Sequence, residues 1–403
     1  MSIRVGLFFG GNSVEHEISV ITGLQAAEYI DKEKYEIVPV YITKNNLFYT
    51  GEEIGKIENY KNIPELLKKS QRVLLVKGER GAVDLVRYPQ KRFGSNVVAS
   101  FDVALPAVHG TNCEDGTLQG MLTLLDVPYA GCDVYASALG MDKYAMKAVL
   151  AYNDVPVLPG YLCSSFDYDK NADGAMNALE EKIGYPMIVK PYNLGSSIGI
   201  SKARNREELK KALENAFIYA ETLLCEHAIM NLKEINCAVL GTRTEAEASE
   251  CEQPVNADDI LSYEDKYIGG GKGAKGGKSS GSKGMATLKR KIPAEITDEE
   301  RTYIRDLAVK AFKALGCSGV ARIDFMMDMD DGKIYLNEIN TIPGSLSFYL
   351  WEPLGVPYKE LLDRMLTIAV RRNAKMQNVV HSFDTNVLAG VRFGGGSKGG
   401  TKK

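Results

Sequence analysis

Two strand-like runs, GVARIDFMM (319–327) and KIYLNEIN (333–340), flank the turn signal DMDDG. They constrain the fold more than any other local feature, because together they predict an antiparallel hairpin. Side chains alternate along a strand, so Arg322 and Asp324 share one face of the first run. Leu336, Glu338 and Asn340 share one face of the second. A turn centred near Asp330 sets Arg322 opposite Glu338, with Asp324 diagonally beside it, to within a residue or two of register.

Two carboxylates and an amide oxygen between apolar strands repel one another unless a cation satisfies them. Two readings stay open here. One is a structural cluster in which Arg322 pairs with the acids. The other is an oxygen-only site for magnesium, which takes few protein ligands, completes its shell with water and phosphates, and so implies a nucleotide triphosphate.

At 403 residues, 45% hydrophobic and 25% charged, the chain can bury more than one core, so two or three domains are expected. A formal net charge of -3 supplies no basic field for nucleic acid. The seven cysteines are scattered, without CxxC or zinc-finger spacing, and read as reduced structural thiols. Neither a cleavable leader nor a long apolar run is visible, so a soluble, cytoplasmic protein with no membrane association is expected.

Along the chain, Ile3 to Phe9 ends at Gly10-Gly11 and is followed by a helical pattern to Ile30, an opening βα unit. YEIVPVYIT, RVLLVKG and DVALPAVHG read as further strands of an α/β unit. SALGMDKYAMKAVLAYN reads as one helix, and Asn205 with Glu208 forms a capping box before LKKALENAF. LLCEHAI and EINCAVLG read as strands, and TDEERTYIRDLAVKAFKAL as a helix. The intervening GGGKGAKGGKSSGSKG (269–284) holds no residue able to anchor a core and reads as a mobile loop, either a bare insertion or a cover for a site.

IVKPYNLGSSIGIS forms a second constellation. Lys190 ends a strand, and a loop with Gly195, Ser196, Ser197 and Gly199 turns into the next. Such a loop offers backbone N–H groups and hydroxyls to phosphate, beside a lysine charge, without being a Walker A sequence. Read singly it is equally an ordinary hairpin. Glu226 and Glu234 could accept from an adenine amino group and from ribose, or lie on the surface.

In chain order, GGNSVEHEISV, VHGTNCEDGTLQGML, SALGMDKYAMK, VKPYNLGSSIGIS, YEDKY, GVARIDFM and NEINTIPG resemble the D-alanine:D-alanine ligases of the ATP-grasp superfamily, over about residues 3–370. The resemblance implies an α/β chain of three domains, an ATP-grasp fold preceded by a Rossmann-like N-terminal domain. These would span 1–131, 132–229 and 230–380, with an α+β lid about 263–285 and a tail from 381 to 403. It implies that Lys143, Lys190 and Ser197 contact ATP phosphates, Glu226 the adenine and Glu234 the ribose, with His227, Ile229 and the lid's Lys266 also on the nucleotide. Asp324, Glu338 and Asn340 would hold two magnesium ions, manganese being an alternative. Glu15 and His109 would orient the first D-alanine, and Ser196 would link Glu15 to Tyr267. Arg322 and the Gly344 N–H would stabilise a tetrahedral oxyanion. The resemblance also implies a homodimer acting on small amino acids for peptidoglycan synthesis.

After NTIPG the sequence departs from the family. SLSFYLWEPLG sets Tyr349 and Leu350 where a serine-type donor would meet the second substrate's carboxylate, with Ser345 and Ser347 as alternative donors. A relative that accepts D-serine or another amine therefore stays open. A nucleotide-binding sensor without chemistry is disfavoured by the intact Arg322, Asp324, Glu338 and Asn340, and a dehydrogenase by the lack of GxGxxG at Gly10-Gly11.

Overall fold

The computed structural model describes residues 2–195, 198–255, 290–383 and 385–386. The glycine-lysine loop, the expected lid with Lys266 and Tyr267, the loop serines Ser196 and Ser197, and most of the tail lie outside the described residues.

Among the described residues the strands form three sheets. In the first, β1 (Ile3–Gly10) runs parallel to β2 (Tyr35–Ile42) on one side and to β7 (Val103–Pro106) on the other. From β2 outward, β3 (Phe48–Thr50), β4 (Gln71–Lys77), β5 (Val83–Arg87) and β6 (Val97–Phe101) continue the sheet antiparallel. The parallel pairs need a crossover, and the helix His16–Tyr29 supplies the one between β1 and β2. The chain enters it through Gly10 and Gly11, at φ 95° and 100°; a Cβ on Gly10 would stand 2.2 Å from the Ile42 carbonyl oxygen.

The second sheet has the order β10-β9-β11-β8, from β8 (Gly160–Ser164), β9 (Met187–Pro191), β10 (Ser201–Ala203) and β11 (Thr222–His227). The third has the order β14-β13-β12-β15-β16, from β12 (Leu232–Gly241), β13 (Ala246–Pro254), β14 (Arg290–Lys291), β15 (Gly319–Asp328) and β16 (Ile334–Asn340).

The segment expected as one helix is two, Val134–Met141 and Lys143–Tyr152. Asp142 between them is extended, and its carboxylate accepts from the N–H groups of Tyr144 and Ala145, so it caps the second helix instead of continuing the first. The capping box at residue 205 is half formed: Asn205 caps Glu208 N–H, but the Glu208 carboxylate accepts from Arg204 N–H. The helix Asp298–Ala314 carries a full box, Thr297 with Glu300.

Each sheet has its own core. Helix residues Ala136, Met146 and Leu150 join Phe312 and Phe325 under the third sheet, although they follow the first sheet in sequence. The last helix, Tyr358–Met376, returns Leu361, Met365 and Ala369 to the core of the first sheet, beside Trp351. The polypeptide after β16 thus locks the first and third sheets together.

In β16 the alternation breaks once. Leu336 and Ile339 point into the core, while Asn337 and Glu338 in succession do not. The register shift between Asp324 and Phe325 accounts for this bulge. Leu336 is fully buried directly beside it, so Leu336→Ala should cost about 2–5 kcal/mol of stability. Urea unfolding measures this, and a loss under about 1 kcal/mol would show that the layer below the bulge is not tightly packed.

Candidate active site

Register carries a polar row across the third sheet. Glu252 on β13 pairs with Asn236 on β12, Asn236 with Asp324 on β15, and Asp324 with Glu338 on β16. Directly opposed residues share a face, so these side chains project together. The hairpin expectation needs correction: Asp324, not Arg322, faces Glu338, and Arg322 faces Asn340. Leu336 also leaves the shared face for the core. The bulge moves Leu336 to the other face and accounts for one residue of the two-residue shift; the other comes from the turn, whose flanking pair of Met327 and Ile334 centres the hairpin half a residue beyond Asp330.

Arg322 donates to both Asp324 oxygens, from Nε and from a terminal nitrogen, each at 2.7 Å, and Asn340 Nδ2 donates to Asp324 Oδ2 at 3.0 Å. The planar fork fixes the guanidinium's orientation. Burial opposes the Arg322 charge, but Asp324 outweighs it and raises the pKa well above the ordinary value. On the other side of the row, Asn236 Nδ2 and the Tyr349 hydroxyl donate to Glu252 Oε1 at 3.0 and 3.3 Å. Arg290 pairs with Glu252 at 2.9 Å and lies 4.0 Å over the Tyr349 ring.

At the β16 edge the row meets three lysines from other elements. Lys143, at the start of its helix, donates to the Leu194 carbonyl at 2.8 Å and lies 3.6 Å from Glu338. Burial lowers its pKa, with the Glu338 charge opposing. Lys190, on β9, donates to Asn337 Oδ1 at 3.3 Å and pairs with Glu226 Oε2 at 2.5 Å. Lys147 lies one helical turn from Lys143 and pairs with the other Glu226 oxygen. Glu226 on β11 is 2% exposed. Burial works to raise its pKa, but Lys190 and Lys147 hold it below the ordinary value. Burial also pushes the Lys147 ammonium down to about 8, against the Glu226 charge.

A third group of contacts holds the turn after β16. Glu114 accepts from the N–H groups of Gly110, at 2.8 Å, and Ile342, at 3.2 Å. The Ile342 carbonyl accepts from His109 Nδ1–H at 2.7 Å, which leaves Nε2 to accept from the Thr22 hydroxyl at 2.8 Å. The same Thr22 oxygen accepts from Ser345 N–H at 3.0 Å. Ser345, Leu346 and Ser347 all adopt left-handed backbone, φ 50–52°, a conformation that survives in non-glycine residues only when surroundings enforce it. Glu15 caps nothing in its own helix, and its carboxylate lies against the loop after β9: a Cβ on Gly195 would be 3.5 Å from Oε2.

A cluster of buried lysines, a carboxylate hairpin and an oriented arginine suits the transfer of phosphate to a carboxyl group. The chain matches two family models, the D-ala D-ala ligase N-terminus over residues 4–132 and the D-ala D-ala ligase C-terminus over residues 149–367. It belongs to the D-alanine:D-alanine ligase family. The D-alanine–D-alanine ligase of Thermosipho melanesiensis is 36% identical over 96% of this chain and 98% of its own length. That of Thermoanaerobacter sp. strain X514 is 39% identical over 91% and 96%. Among solved structures, the D-alanine-D-alanine ligase from Coxiella burnetii superposes with a TM-score of 0.73 at 28% identity, covering 93% of this chain and 97% of that one. The VanG D-Ala:D-Ser ligase from Enterococcus faecalis gives 0.74 at 29%, covering 92% and 100%.

As a member of the family the protein is an ATP-dependent ligase that joins a carboxylate to an amine and uses a divalent metal. Among the described residues no helix is long and apolar enough to cross a membrane. Of the residues singled out from sequence, the structure brings Lys143, Lys190, Glu226, Arg322, Asp324, Glu338 and Asn340 into one contiguous cluster. His109 commits both ring nitrogens to protein partners and so holds the turn. Leu350 places its side chain in the first core, while Ser345 Oγ donates to Gln25 Oε1 at 2.7 Å and Ser347 is fully buried. Ile229 is nearly buried and His227 exposed at the end of β11, and Glu234 lies two residues into β12.

Sequence reasoning passed over Lys147, Glu114, Thr22, Glu252 and Arg290. Only Lys147 left a signal, its four-residue spacing from Lys143 on an apolar helix. Glu114 is pushed up to about 8 by burial and by the charges of Glu15 and Glu338.

A divalent cation fits the hairpin on the chemistry of its donors: two cross-strand carboxylates and an amide oxygen, all hard ligands, with Glu338 26% exposed. Among the described residues no three His, Cys, Asp or Glu side chains are grouped to hold a metal.

Burial lowers the His109 pKa below the ordinary 6.5. The unfolded imidazole then binds a proton that the folded one refuses, so stability is retained above about pH 6.5 and falls below it. Glu114, raised to about 8, contributes the opposite slope, so the readout is a difference: the urea-midpoint advantage of wild type over His109→Gln should shrink from pH 7 to pH 5, the share of the similarly depressed His16 cancelling between the two. A constant difference would mean that His109 is not held neutral.

Proposed function

We propose that the protein makes the D-alanyl-D-alanine dipeptide for peptidoglycan synthesis, through an acyl phosphate. The support is the cleft in which Lys143 and Lys190 reach from their own elements to the Asn337–Glu338 bulge. A carboxylate is a poor electrophile until its oxygen is phosphorylated, and the resulting acyl phosphate is open to attack by an amine. Lys143 and Lys190 would offset the charge of the transferred phosphoryl group. Glu226, His227, Ile229 and Glu234 would line the nucleoside end.

Glu15, near Gly195 and Gly110, would take the ammonium of the first amino acid. Arg322, oriented by Asp324, and the Gly344 N–H, on the turn gripped by Glu114, His109 and Thr22, would face the developing oxyanion. Asp324, Glu338 and Asn340 would hold magnesium, which when bound spreads phosphate charge.

A second reading, with an amine acceptor other than D-alanine, is supported by Tyr349, whose hydroxyl is already donated to Glu252. Phosphate release should be measured with D- and L-amino acids, singly and in pairs, with products identified by mass. Turnover with D-alanine alone and a dialanine product is expected; turnover only with a second, different amine would favour the alternative, and no amino-acid-stimulated turnover would defeat both. Glu338→Ala should lower kcat at least about 100-fold in a protein that still melts cooperatively, and near-normal kcat would remove Glu338 from the site.

A further inference from the structure

Lys147 has no part in the reaction as described, yet it is among the most buried charges in the protein, at 4% exposure. It reaches Glu226 from the helix Lys143–Tyr152, whose apolar face belongs to the third core, while Glu226 and Lys190 belong to the second sheet. One buried carboxylate thus lies between two ammonium groups, one on each oxygen. The other protein partner of Lys147 is the Leu158 carbonyl, at 3.4 Å. Lys190, in contrast, divides its bonds between Glu226 and Asn337 on the β16 bulge.

Attraction between opposite charges grows steeply in a low-dielectric interior, and a buried carboxylate left with a single cation holds it tightly. With Lys147 in place, Glu226 keeps a full counter-charge when Lys190 turns toward phosphate. Without Lys147, every movement of Lys190 toward phosphate strands a buried anion. We infer that Lys147 is a positioning residue for nucleotide binding, one that neutralises Glu226 and so releases Lys190 to the triphosphate. The inference deepens the ATP-dependent reading and rests on it.

A purely structural role predicts that losing Lys147 lowers stability, that losing Glu226 as well restores much of it, and that the folded protein binds ATP as before. A releasing role predicts that ATP affinity of the folded protein itself falls when Lys147 is lost and returns when the Glu226 charge is removed too. The test is calorimetric binding of magnesium-ATP to the full-length protein. Lys147→Met should weaken ATP affinity at least about tenfold, and Lys147→Arg, which keeps the charge, should stay within about threefold of wild type. In a Glu226→Gln background, which retains an acceptor oxygen, Lys147→Met should cost less than about threefold.

Wild-type affinity in Lys147→Met, or an equal loss in both backgrounds, would overturn the inference. If Lys147→Met does not fold, the neutral pair Lys147→Met with Glu226→Gln carries the test: ATP binding near that of Glu226→Gln alone supports it, and loss of binding overturns it. A wild-type protein that binds ATP but shows no amino-acid-stimulated turnover would defeat the proposed reaction and leave this measurement standing.

Discussion

Charge buried between packed sheets must be matched by opposite charge, and that requirement organises the cleft of this protein. Glu226 is tolerated at 2% exposure because Lys147 and Lys190 each take one of its oxygens. Asp324 is tolerated beside Glu338 because Arg322 takes both of its oxygens. Glu252 is held by Asn236, Tyr349 and Arg290. Each pairing joins different strands or elements, apart from Arg322 with Asp324 on β15, so satisfying the charges also fixes how the elements lie. Buried pairs add little net stability over apolar packing, but breaking one is costly, and that penalty disfavours other arrangements of the cleft.

The turn after β16 depends on the same economy of polar groups. Its backbone has three successive non-glycine residues in left-handed conformation, which an isolated peptide would abandon. It persists because side chains of the first unit grip it at both ends: Glu114 on the Ile342 N–H, His109 on the Ile342 carbonyl, and Thr22 on Ser345 N–H. The last helix, packed in the first core, fixes the chain beyond it. In the proposed reaction a backbone N–H on this turn would meet the oxyanion, and a donor already held in place needs no reorganisation.

Much of the local structure was legible because it follows from short-range rules. Alternation marked β15 and β16, and helical patterning marked Asp298–Ala314. The errors also have local causes. Asp142 caps a helix where periodicity alone ran straight through, and the turn's centre together with the β16 bulge moved the register two residues from that of a regular hairpin centred on Asp330. Tyr349 stood out as unusual from sequence, but its hydroxyl partner did not, since Glu252 reaches it only through the packing of β13 against the turn.

The sequence by itself determined the inventory: which strands alternate, where acids and lysines stand, and that their order resembles one ligase family. The tertiary structure alone decided which charge meets which. His109 and Ile342 are 233 positions apart, and Lys190 and Asn337 147 apart, yet they touch. Such contacts depend on sheet register and on helices crossing from one core to another, and a shift of one residue reverses the face a side chain presents. Lys147 shows the limit plainly. Its spacing put it beside Lys143, but only the packing of that helix against β8 of the second sheet, next to β11, turned an ordinary lysine into the counter-charge of a buried glutamate.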